Sequence, residues 1–422
     1  MSLTGLATRF ESITSVISIA GRTLLGLDTN PVPGEWTHIT KVDPEGEKKL
    51  PLLYPNYLSH SSAVSVGGSR DVTEQNTEET FELLAESGTT AFHEPSDSTH
   101  VTEQTREKAE FLAIPEVLNG DSESLVGTLG RGIEYLRKEL GPSLLDEKVG
   151  MPVSEVLGDR AGDFVAAWMM EEAVFEAYII MNPESAAARE ANVGEDDLLT
   201  PQEAKERALA AQHHLESEII YLEYSGTFGG SEALEILDAI DDGVTWSQIW
   251  YGGGLDSREN VNSVLNAGAD AVVVGDVFHR IAEVEVELFE QARTQFDSST
   301  ETESIREWVT ETIDVAETDA ARYLSTIPAV TRPTERATTY LTNSLEFGLA
   351  VDALASELSD PSAADIEQAV RDERLPAATQ FGNIPGVDGK RLANRLARGL
   401  LADYFDVSSA EQVTARHLAI EL

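Results

Sequence analysis

The chain has 422 residues, of which 41% are hydrophobic, 75 are Asp or Glu, 30 are Lys or Arg, and none is Cys. The absence of cysteine excludes disulfides, thiolate zinc sites and cysteine nucleophiles. A net charge of −45 argues against nucleic acid as a partner, because the protein would repel its phosphates.

The acidic excess is spread along the chain, and lysine is scarce. Such a composition is typical of a halophilic protein that stays soluble in concentrated salt. At ~1 M salt the Debye length is only about 3 Å, so the self-repulsion of the acidic surface would be screened. The alternative is an ordinary acidic cytosolic protein.

Residues 1–35 predict a helical N-terminal extension. Its most apolar part, residues 11–27 (ESITSVISIAGRTLLGL), is interrupted by Glu11 and Arg22 and is too polar to span a bilayer. We interpret this part as a helix packed on a domain face, with a peripheral membrane contact as the alternative. With no signal-peptide pattern either, we expect a cytoplasmic protein.

Eight apolar or β-branched runs follow between residues 36 and 280. Most are continuous rather than alternating, which is typical of strands buried on both faces of a parallel sheet. The runs are 36–44, 63–69, 88–96, 111–119, 176–183, 218–226, 247–255 and 271–278.

Segments with helical periodicity lie between most of these runs, and several open with a capping residue, as at Thr200, Ser231 and Ser257. Repeated strand–helix alternation predicts an α/β fold, a (β/α)8 TIM barrel over residues 36–294, with an open doubly wound sheet as the alternative. The 141–175 connection is long enough to add a helix. The predicted helices are 73–87, 121–140, 201–216, 231–241 and 257–267.

The end of the chain predicts an additional all-helical C-terminal domain over residues 305–422, after a polar linker at 295–304. Within it, Arg391, Arg395 and Arg398 fall on one helical face. We expect that face to pair with an acidic helix of the same protein, and an external acidic surface or anionic lipid is the alternative. The predicted helices are 305–325, 333–358, 363–375 and 388–404.

Glycines end the last two predicted strands. Strand 7 ends in Gly252, Gly253 and Gly254, and strand 8 ends in Gly275 and Asp276. In a TIM barrel the active site lies at the carboxyl ends of the strands, and glycine loops after strands 7 and 8 commonly expose N–H groups to a phosphate. The pattern predicts a phosphorylated ligand; the alternative is that these glycines only form tight turns.

Strands 1 and 2 end in polar residues that suit a metal and an anion. Lys41 and Asp43 share one side of strand 1, so Asp43 could bind Mg²⁺ while Lys41 neutralises a phosphate. Ser69, after strand 2, offers a hydroxyl to a phosphate or to metal-bound oxygen. The alternative for Lys41 and Asp43 is a buried ion pair without a ligand.

Strand 6 carries the candidate general base. Tyr221 and Glu223 share one face of the strand. Glu223 could accept a proton from a hydroxyl, and Tyr221 could orient the Glu223 carboxylate or bind the phosphate. The alternative is a glutamate paired with an arginine. Strand 3 ends in His93 and Glu94, but no second histidine stands at ligand spacing, which disfavours zinc.

Together these strand ends resemble the geranylgeranylglyceryl phosphate synthase family, including its bacterial heptaprenylglyceryl phosphate synthase relatives. The resemblance covers about residues 36–290. The matching motifs are T-K-V-D-P (40–44), V-G-G-S (66–69), Y-I-I-M-N-P (178–183), Y-L-E-Y-S-G-T (221–227), Y-G-G-G-L-D-S (251–257) and A-G-A-D-A-V-V-V-G-D (267–276).

The resemblance implies a Mg²⁺-dependent prenyltransferase of archaeal membrane phospholipid biosynthesis. Its partners would be sn-glycerol 1-phosphate and geranylgeranyl diphosphate, which it would join by an ether bond. By position, Glu223 would be the base, and Asp43 with Ser69 would hold the metal. The phosphate would be held by Lys41, Tyr221, Ser225, Gly226, Gly252, Gly253, Gly254, Gly275 and Asp276.

Three departures from the family pattern leave alternatives open. The usual Asn after the strand-8 glycine is Asp276, Tyr224 replaces a small residue, and the N-terminal extension and helical tail lie outside the family core. The alternatives are another phosphate-binding barrel enzyme, such as a sugar-phosphate isomerase, and a non-catalytic binding or scaffold protein. The prenyl chain length is open, and a homo-oligomer remains an alternative to a monomer.

Overall fold

A computed structural model describes residues 29–68, 71–152, 154–373, 375–409 and 415–422. Most of the predicted N-terminal extension and the predicted metal ligand Ser69 therefore lie outside the described residues. Within the described ranges, no helix is both long enough and apolar enough to cross a bilayer.

Eight parallel strands form the central sheet, in the order β3-β2-β1-β8-β7-β6-β5-β4. A parallel bridge between His93 and Leu112 joins the two ends and closes the barrel. The predicted (β/α)8 TIM barrel is confirmed. The strands are β1 His38–Val42, β2 Ala63–Val66, β3 Ala91–His93, β4 Ala113–Val117, β5 Val174–Ile180, β6 Ile219–Tyr224, β7 Gln248–Gly253 and β8 Ala271–Val274.

Each predicted run contains a strand, and only β5 extends beyond its predicted run. Strand β5 begins at Val174, two residues before the expected start at 176. The Val174 N–H donates to the carbonyl of Leu112, so pairing with the segment entering β4 extends the strand. Tertiary pairing of this kind leaves no signal in the local sequence.

Twelve helices lie in the barrel part of the described chain. Thr200 and Ser257 cap their helices as predicted, but Ser231 does not, because that helix already begins at Gly230. The twelve α-helices are α1 Tyr54–Leu58, α2 Glu74–Leu84, α3 Glu103–Lys108, α4 Thr128–Tyr135, α5 Gly141–Val149, α6 Ser154–Leu157, α7 Asp159–Glu172, α8 Ala186–Ala191, α9 Pro201–Ala210, α10 Gly230–Asp241, α11 Arg258–Asn266 and α12 Phe278–Ala292.

The end of the chain is helical, as predicted, although its first predicted helix is broken. Asp314 accepts a hydrogen bond from Ala316 N and starts a 3₁₀ turn at Val315–Glu317, which separates two helices within 305–325. The helices are α13 Thr302–Thr312, α14 Asp319–Thr326, α15 Pro333–Glu357, α16 Ala363–Asp372, α17 Ala377–Phe381 and α18 Gly389–Tyr404.

The C-terminal helices share one apolar core with one side of the barrel. The barrel helix α1 has only five residues, and α14 covers the outer face of β1. There the Thr40 hydroxyl lies 2.7 Å from the Tyr323 hydroxyl, and His38 Nε2 lies 2.9 Å from Thr326 Oγ1. Because burying a large apolar side chain is worth about 1.5–3 kcal/mol, the barrel and the C-terminal helices stabilise each other.

A row of ion pairs joins α18 to α2 and to the turn that follows α2. Arg391 pairs with Glu86, and Arg395 lies 3.2 Å from both Glu82 and Glu86. For Arg395, which pairs with Glu82 of α2, the expectation that this face pairs with an acidic helix of the same protein is confirmed. Arg391 pairs within the same protein too, but with the turn after that helix.

Candidate active site

One cavity of about 1190 Å³ opens at the carboxyl ends of the strands. It brings together eleven of the twelve residues selected from the sequence; the twelfth, Ser69, lies outside the described residues. Their chemical roles stay predictions at this point. The eleven are Lys41, Asp43, Tyr221, Glu223, Ser225, Gly226, Gly252, Gly253, Gly254, Gly275 and Asp276.

The strand register explains this convergence. Side chains alternate between the two faces of a strand, so positions two apart point the same way. Lys41 pairs in register with Ser65, Tyr178 with Tyr221, and Glu223 with Gly252. The inward-facing side chains at the upper ends of neighbouring strands therefore lie side by side.

Glu94, just after β3, contacts polar side chains from three other strands in the cavity. Its Oε1 lies 2.8 Å from Lys41 Nζ and 2.7 Å from the Tyr178 hydroxyl, and its Oε2 accepts from Ser65 Oγ at 2.8 Å. Burial by itself would raise the pKa of Glu94, but the Lys41 ammonium and these hydrogen bonds hold its pKa below the usual range. Glu94 is therefore a largely buried carboxylate, 12% exposed, that three hydrogen-bonding and charged contacts hold in place.

Sequence reasoning considered Glu94 only beside His93, as part of an improbable zinc site. The signal that could have found it is its position: it follows β3 with the same parity as the inward-facing Phe92. Lys41 pairs with Glu94 rather than with Asp43, its alternative partner. An ammonium group has three donors, so Lys41 can still donate to a ligand oxygen.

Glu223 is buried at the end of β6. Its Oε1 accepts from Ser225 N at 2.9 Å, and the Tyr221 hydroxyl also hydrogen-bonds its carboxylate. These partners take the place of the arginine considered as an alternative. Burial raises the pKa of Glu223 above its usual range, against the opposing effects of Ser225 and Lys41. A raised pKa suits a carboxylate that accepts a proton near neutral pH.

The glycines of β7 are required by close packing. A Cβ at residue 252 would lie 2.7 Å from Cζ of Tyr221 and 3.0 Å from Oε2 of Glu223. At Gly253, where φ is +155°, a Cβ would lie 2.5 Å from Cβ of Tyr224. Steric crowding alone therefore demands glycine here, and the contact of their N–H groups with a phosphate stays a prediction.

Three carboxylates converge on Lys48 beside Asp43. Lys48 Nζ lies 2.5 Å from Asp43 Oδ2, 3.0 Å from Asp276 Oδ1 and 3.6 Å from Glu45 Oε2. Among the described residues, no three or more His, Asp or Glu side chains are arranged as a ready-made metal site. Mg²⁺ usually binds one or two carboxylates together with water and substrate phosphates, and Asp43 at a cation-binding position fits that mode.

Tyr224 and Asp276, the two residues that depart from the family pattern, lie in different surroundings. Tyr224 lies on the outer face of β6, where its hydroxyl donates to Glu232 at 2.9 Å and its ring stacks on Tyr251. Its bulk therefore does not narrow the cavity. Asp276 lines the cavity and contacts two cations, Lys48 and, at 3.3 Å, Arg280.

An apolar arm extends from this polar end. It runs between β4 and β5 and the helices inserted after β4, so the insertion supplies one wall. The cavity therefore combines a polar, charged end with a long apolar arm. The apolar lining includes Val101, Leu112, Ile114, Val117, Leu129, Ile133, Leu136, Met169, Met170 and Ile180.

Comparison with known proteins identifies a protein family that this chain matches. The model of the PcrB family matches residues 33–293. A geranylgeranylglyceryl phosphate synthase of Methanocella arvoryzae is 27% identical over 254 residues, 60% of this chain and 93% of that protein. A protein of the same name from Halobacterium salinarum is 27% identical over 246 residues, 58% of this chain and 89% of that one.

The fold is also similar to solved structures. One is (S)-3-O-geranylgeranylglyceryl phosphate synthase of Thermoplasma acidophilum, solved in complex with sn-glycerol-1-phosphate. It has a TM-score of 0.42 and 20% sequence identity, and the match covers 58% of this chain and 87% of that chain.

Proposed function

The chain belongs to the PcrB family and is a prenyltransferase, and on this premise we propose its reaction. It joins the C3 hydroxyl of sn-glycerol 1-phosphate to C1 of geranylgeranyl diphosphate through an ether bond, with Mg²⁺ as cofactor. The names of the relatives support this assignment, since the chain covers about nine-tenths of each.

The cavity is the observation that carries the proposal. Its polar end contains Lys41, Glu94 and Glu223, and its arm is lined by apolar side chains of the insertion after β4. A sugar-phosphate isomerase would need the polar end alone. A prenyltransferase needs both, because the anionic head and the apolar chain belong to the same substrate.

Glu223 is the general base of the reaction. As the C3 oxygen bonds to C1 of the prenyl group, its proton passes to the Glu223 carboxylate. The bond between C1 and the diphosphate oxygen breaks, and the diphosphate leaves with the bonding electrons. Tyr221, hydrogen-bonded to Glu223, holds the carboxylate in place. Holding both reactants in one cavity lowers the entropic part of the barrier.

The glycine loops after β7 and β8 hold the glycerol phosphate. Backbone N–H groups of Gly226, Gly252 to Gly254 and Gly275 would donate to its oxygens, together with Ser225 and Lys41. The ion pair with Glu94 holds the Lys41 side chain in place beside this phosphate site. Lys41 and the proposed base Glu223 line the same cavity.

Asp43 and Ser69 are the residues that would hold Mg²⁺. When bound, the ion supplies positive charge that stabilises the departing diphosphate. Lys48, which contacts Asp43 at 2.5 Å, keeps that carboxylate neutralised by a cation. Lys48 also lies 3.0 Å from Asp276, so it would keep an ion-pair partner if Asp43 bound the metal.

The acidic composition supports a proposal about the medium in which the protein works. We propose that the protein works in a salt-rich archaeal cytoplasm, since its acidic surface needs screening by salt. A homo-oligomer and a peripheral membrane contact stay predictions that the same purified protein can test, by light scattering and by vesicle flotation.

The experiment supplies sn-glycerol 1-phosphate with a radiolabel to the full chain in multimolar KCl and Mg²⁺. Farnesyl, geranylgeranyl and heptaprenyl diphosphate are compared as donors, and sn-glycerol 3-phosphate is the matched control acceptor. A labelled, phosphatase-sensitive lipid that forms fastest with geranylgeranyl diphosphate is expected. A folded protein that binds glycerol phosphate and forms no lipid with any donor would overturn the proposal and favour another phosphate-binding enzyme or a scaffold.

A further inference from the structure

Helix α14 of the C-terminal region is held at both ends by arginines that follow the two glycine loops. Arg258, the first residue of α11, donates to the carbonyls of Ile327 and Pro328, just after α14 ends, at 3.2 and 2.9 Å. Arg280 of α12 lies 3.2 Å from Asp319, the first residue of α14. The extra helices therefore contact the segments that carry both loops.

Arg280 also belongs to a row of alternating charges that reaches the cavity. From the cavity outwards the row is Asp43, Lys48, Asp276, Arg280 and Asp319, with neighbouring charges 2.5, 3.0, 3.3 and 3.2 Å apart. Asp319 lies beyond residue 293, where the match to the family model ends. The row thus connects the family barrel to a part of this chain that the family model does not include.

Asp276 is the member of the row whose carboxylate lies next to the proposed phosphate site. It follows Gly275 at the cavity, has a left-handed backbone with φ of +54°, and its side chain is 62% exposed. An anion at the glycine loop would be repelled by a free carboxylate next to it. Lys48 lies 3.0 Å from one of its carboxylate oxygens, and Arg280 lies 3.3 Å from the other.

We propose that Arg280, fixed by Asp319, is a positioning residue that holds the Asp276 carboxylate away from the phosphate. The C-terminal helices then contribute to anion binding, because Asp319 of α14 fixes the arginine that keeps the Asp276 carboxylate from repelling the phosphate. The inference rests on the proposed function, because it requires a phosphate at the loops after β7 and β8. Deleting the C-terminal helices cannot test it, since they share the barrel's core.

The test is a double-mutant cycle read out by calorimetric binding of inorganic phosphate to the full chain. Arg280→Met should weaken binding by about fivefold, the lower end for coupling between neighbouring sites. Asp276→Asn should bind at least as well as wild type, and adding it to Arg280→Met should restore the affinity. Asp319→Asn should weaken binding in the same direction by a smaller factor.

The matched control is Arg322→Met, which removes an arginine of α14 that pairs with the exposed Glu317. It should leave phosphate affinity unchanged. Rescue by Asp276→Asn is the decisive reading, because a merely structural role of Arg280 would not be repaired by a change at residue 276. All variants are compared at the lowest KCl concentration at which wild type stays folded, and again in multimolar KCl, where screening should shrink the effect.

An Arg280→Met loss that Asp276→Asn does not repair overturns the inference, and so does an unchanged affinity in folded Arg280→Met. A wild-type protein that binds phosphate but forms no prenyl ether would remove the proposed function and leave the inference standing. A wild-type protein without phosphate affinity would overturn both.

Discussion

Gly252 leaves room for the Tyr221 ring: a Cβ at residue 252 would lie 2.7 Å from Cζ of Tyr221. Since the Tyr221 hydroxyl bonds the carboxylate of Glu223, the bare backbone of β7 sets the position of the proposed base.

Gly252→Ala should therefore reduce kcat by about tenfold or more, because small displacements of a positioned group can cost two orders of magnitude. The matched control is Gly130→Ala, where a Cβ meets nothing within 4 Å. That variant should keep wild-type kcat and gain stability, by about 0.5–1 kcal/mol, in its exposed helix. Equal kcat in Gly252→Ala and wild type would contradict the role of the Tyr221–Glu223 pair.

Glu223→Gln should lower kcat by about 10²-fold or more while phosphate affinity stays within a factor of a few, since it removes proton acceptance and keeps the shape. In wild type, kcat should rise with pH as Glu223 loses its proton, with a midpoint above the usual range for glutamate because burial raises its pKa. Steady-state kinetics across pH measure both effects. Glu232→Gln, at the outward partner of Tyr224, is the control, and a wild-type rate in Glu223→Gln would move the base elsewhere.

Asp43→Asn should abolish turnover and the binding of Mn²⁺ used as a spectroscopic substitute for Mg²⁺, because the carboxylate is the proposed metal ligand. Glu45→Gln, which also removes a charge near Lys48, should retain most Mn²⁺ binding. Electron paramagnetic resonance of free Mn²⁺ gives the affinity without depending on turnover. Undiminished turnover in Asp43→Asn would remove the metal assignment.

Acid should loosen the contact between β1 and α14. Burial lowers the pKa of His38 from 6.5 to about 3, so the unfolded chain takes up a proton in this range and the folded chain does not. The free energy of unfolding should then be unaffected by this group above pH 6.5. It should fall as the pH drops towards 3, by about 1.4 kcal/mol per pH unit.

His38→Gln isolates this contribution, because it keeps a polar side chain beside Thr326 and cannot titrate. Denaturant unfolding of both proteins across pH gives the difference. A difference that does not change between pH 7 and pH 5 would contradict the burial of a neutral His38.

The barrel was predictable because most strands lie in apolar or β-branched runs that recur between helical segments, and several of these runs end in polar or glycine residues. Strand parity placed Lys41, Asp43, Tyr221 and Glu223 on one side correctly, since alternation depends only on local backbone geometry. The role of Glu94 was missed because its partners Lys41, Ser65 and Tyr178 come from three other strands.

The C-terminal region was predictable as helices and not as part of the barrel's core. The amphipathic pattern of a helix shows that it has a buried face without naming the surface that covers it. The pairing of Thr40 with Tyr323 depends on a short α1 and on a helix break at Asp314, and neither leaves a strong local signal. The apolar arm was hidden for the same reason, since the helices after β4 supply one of its walls.

The contact between Thr40 and Tyr323 joins positions 283 residues apart. During synthesis, which delivers the N-terminal strands first, β1 leaves the ribosome long before α14 has been translated. The outer face of β1 contacts the nearby Ser61, but its contacts with α14 must wait for the last quarter of the chain. The β1 side of the barrel is therefore completed by a part of the chain that lies outside the barrel, so folding of the barrel depends on residues made after it.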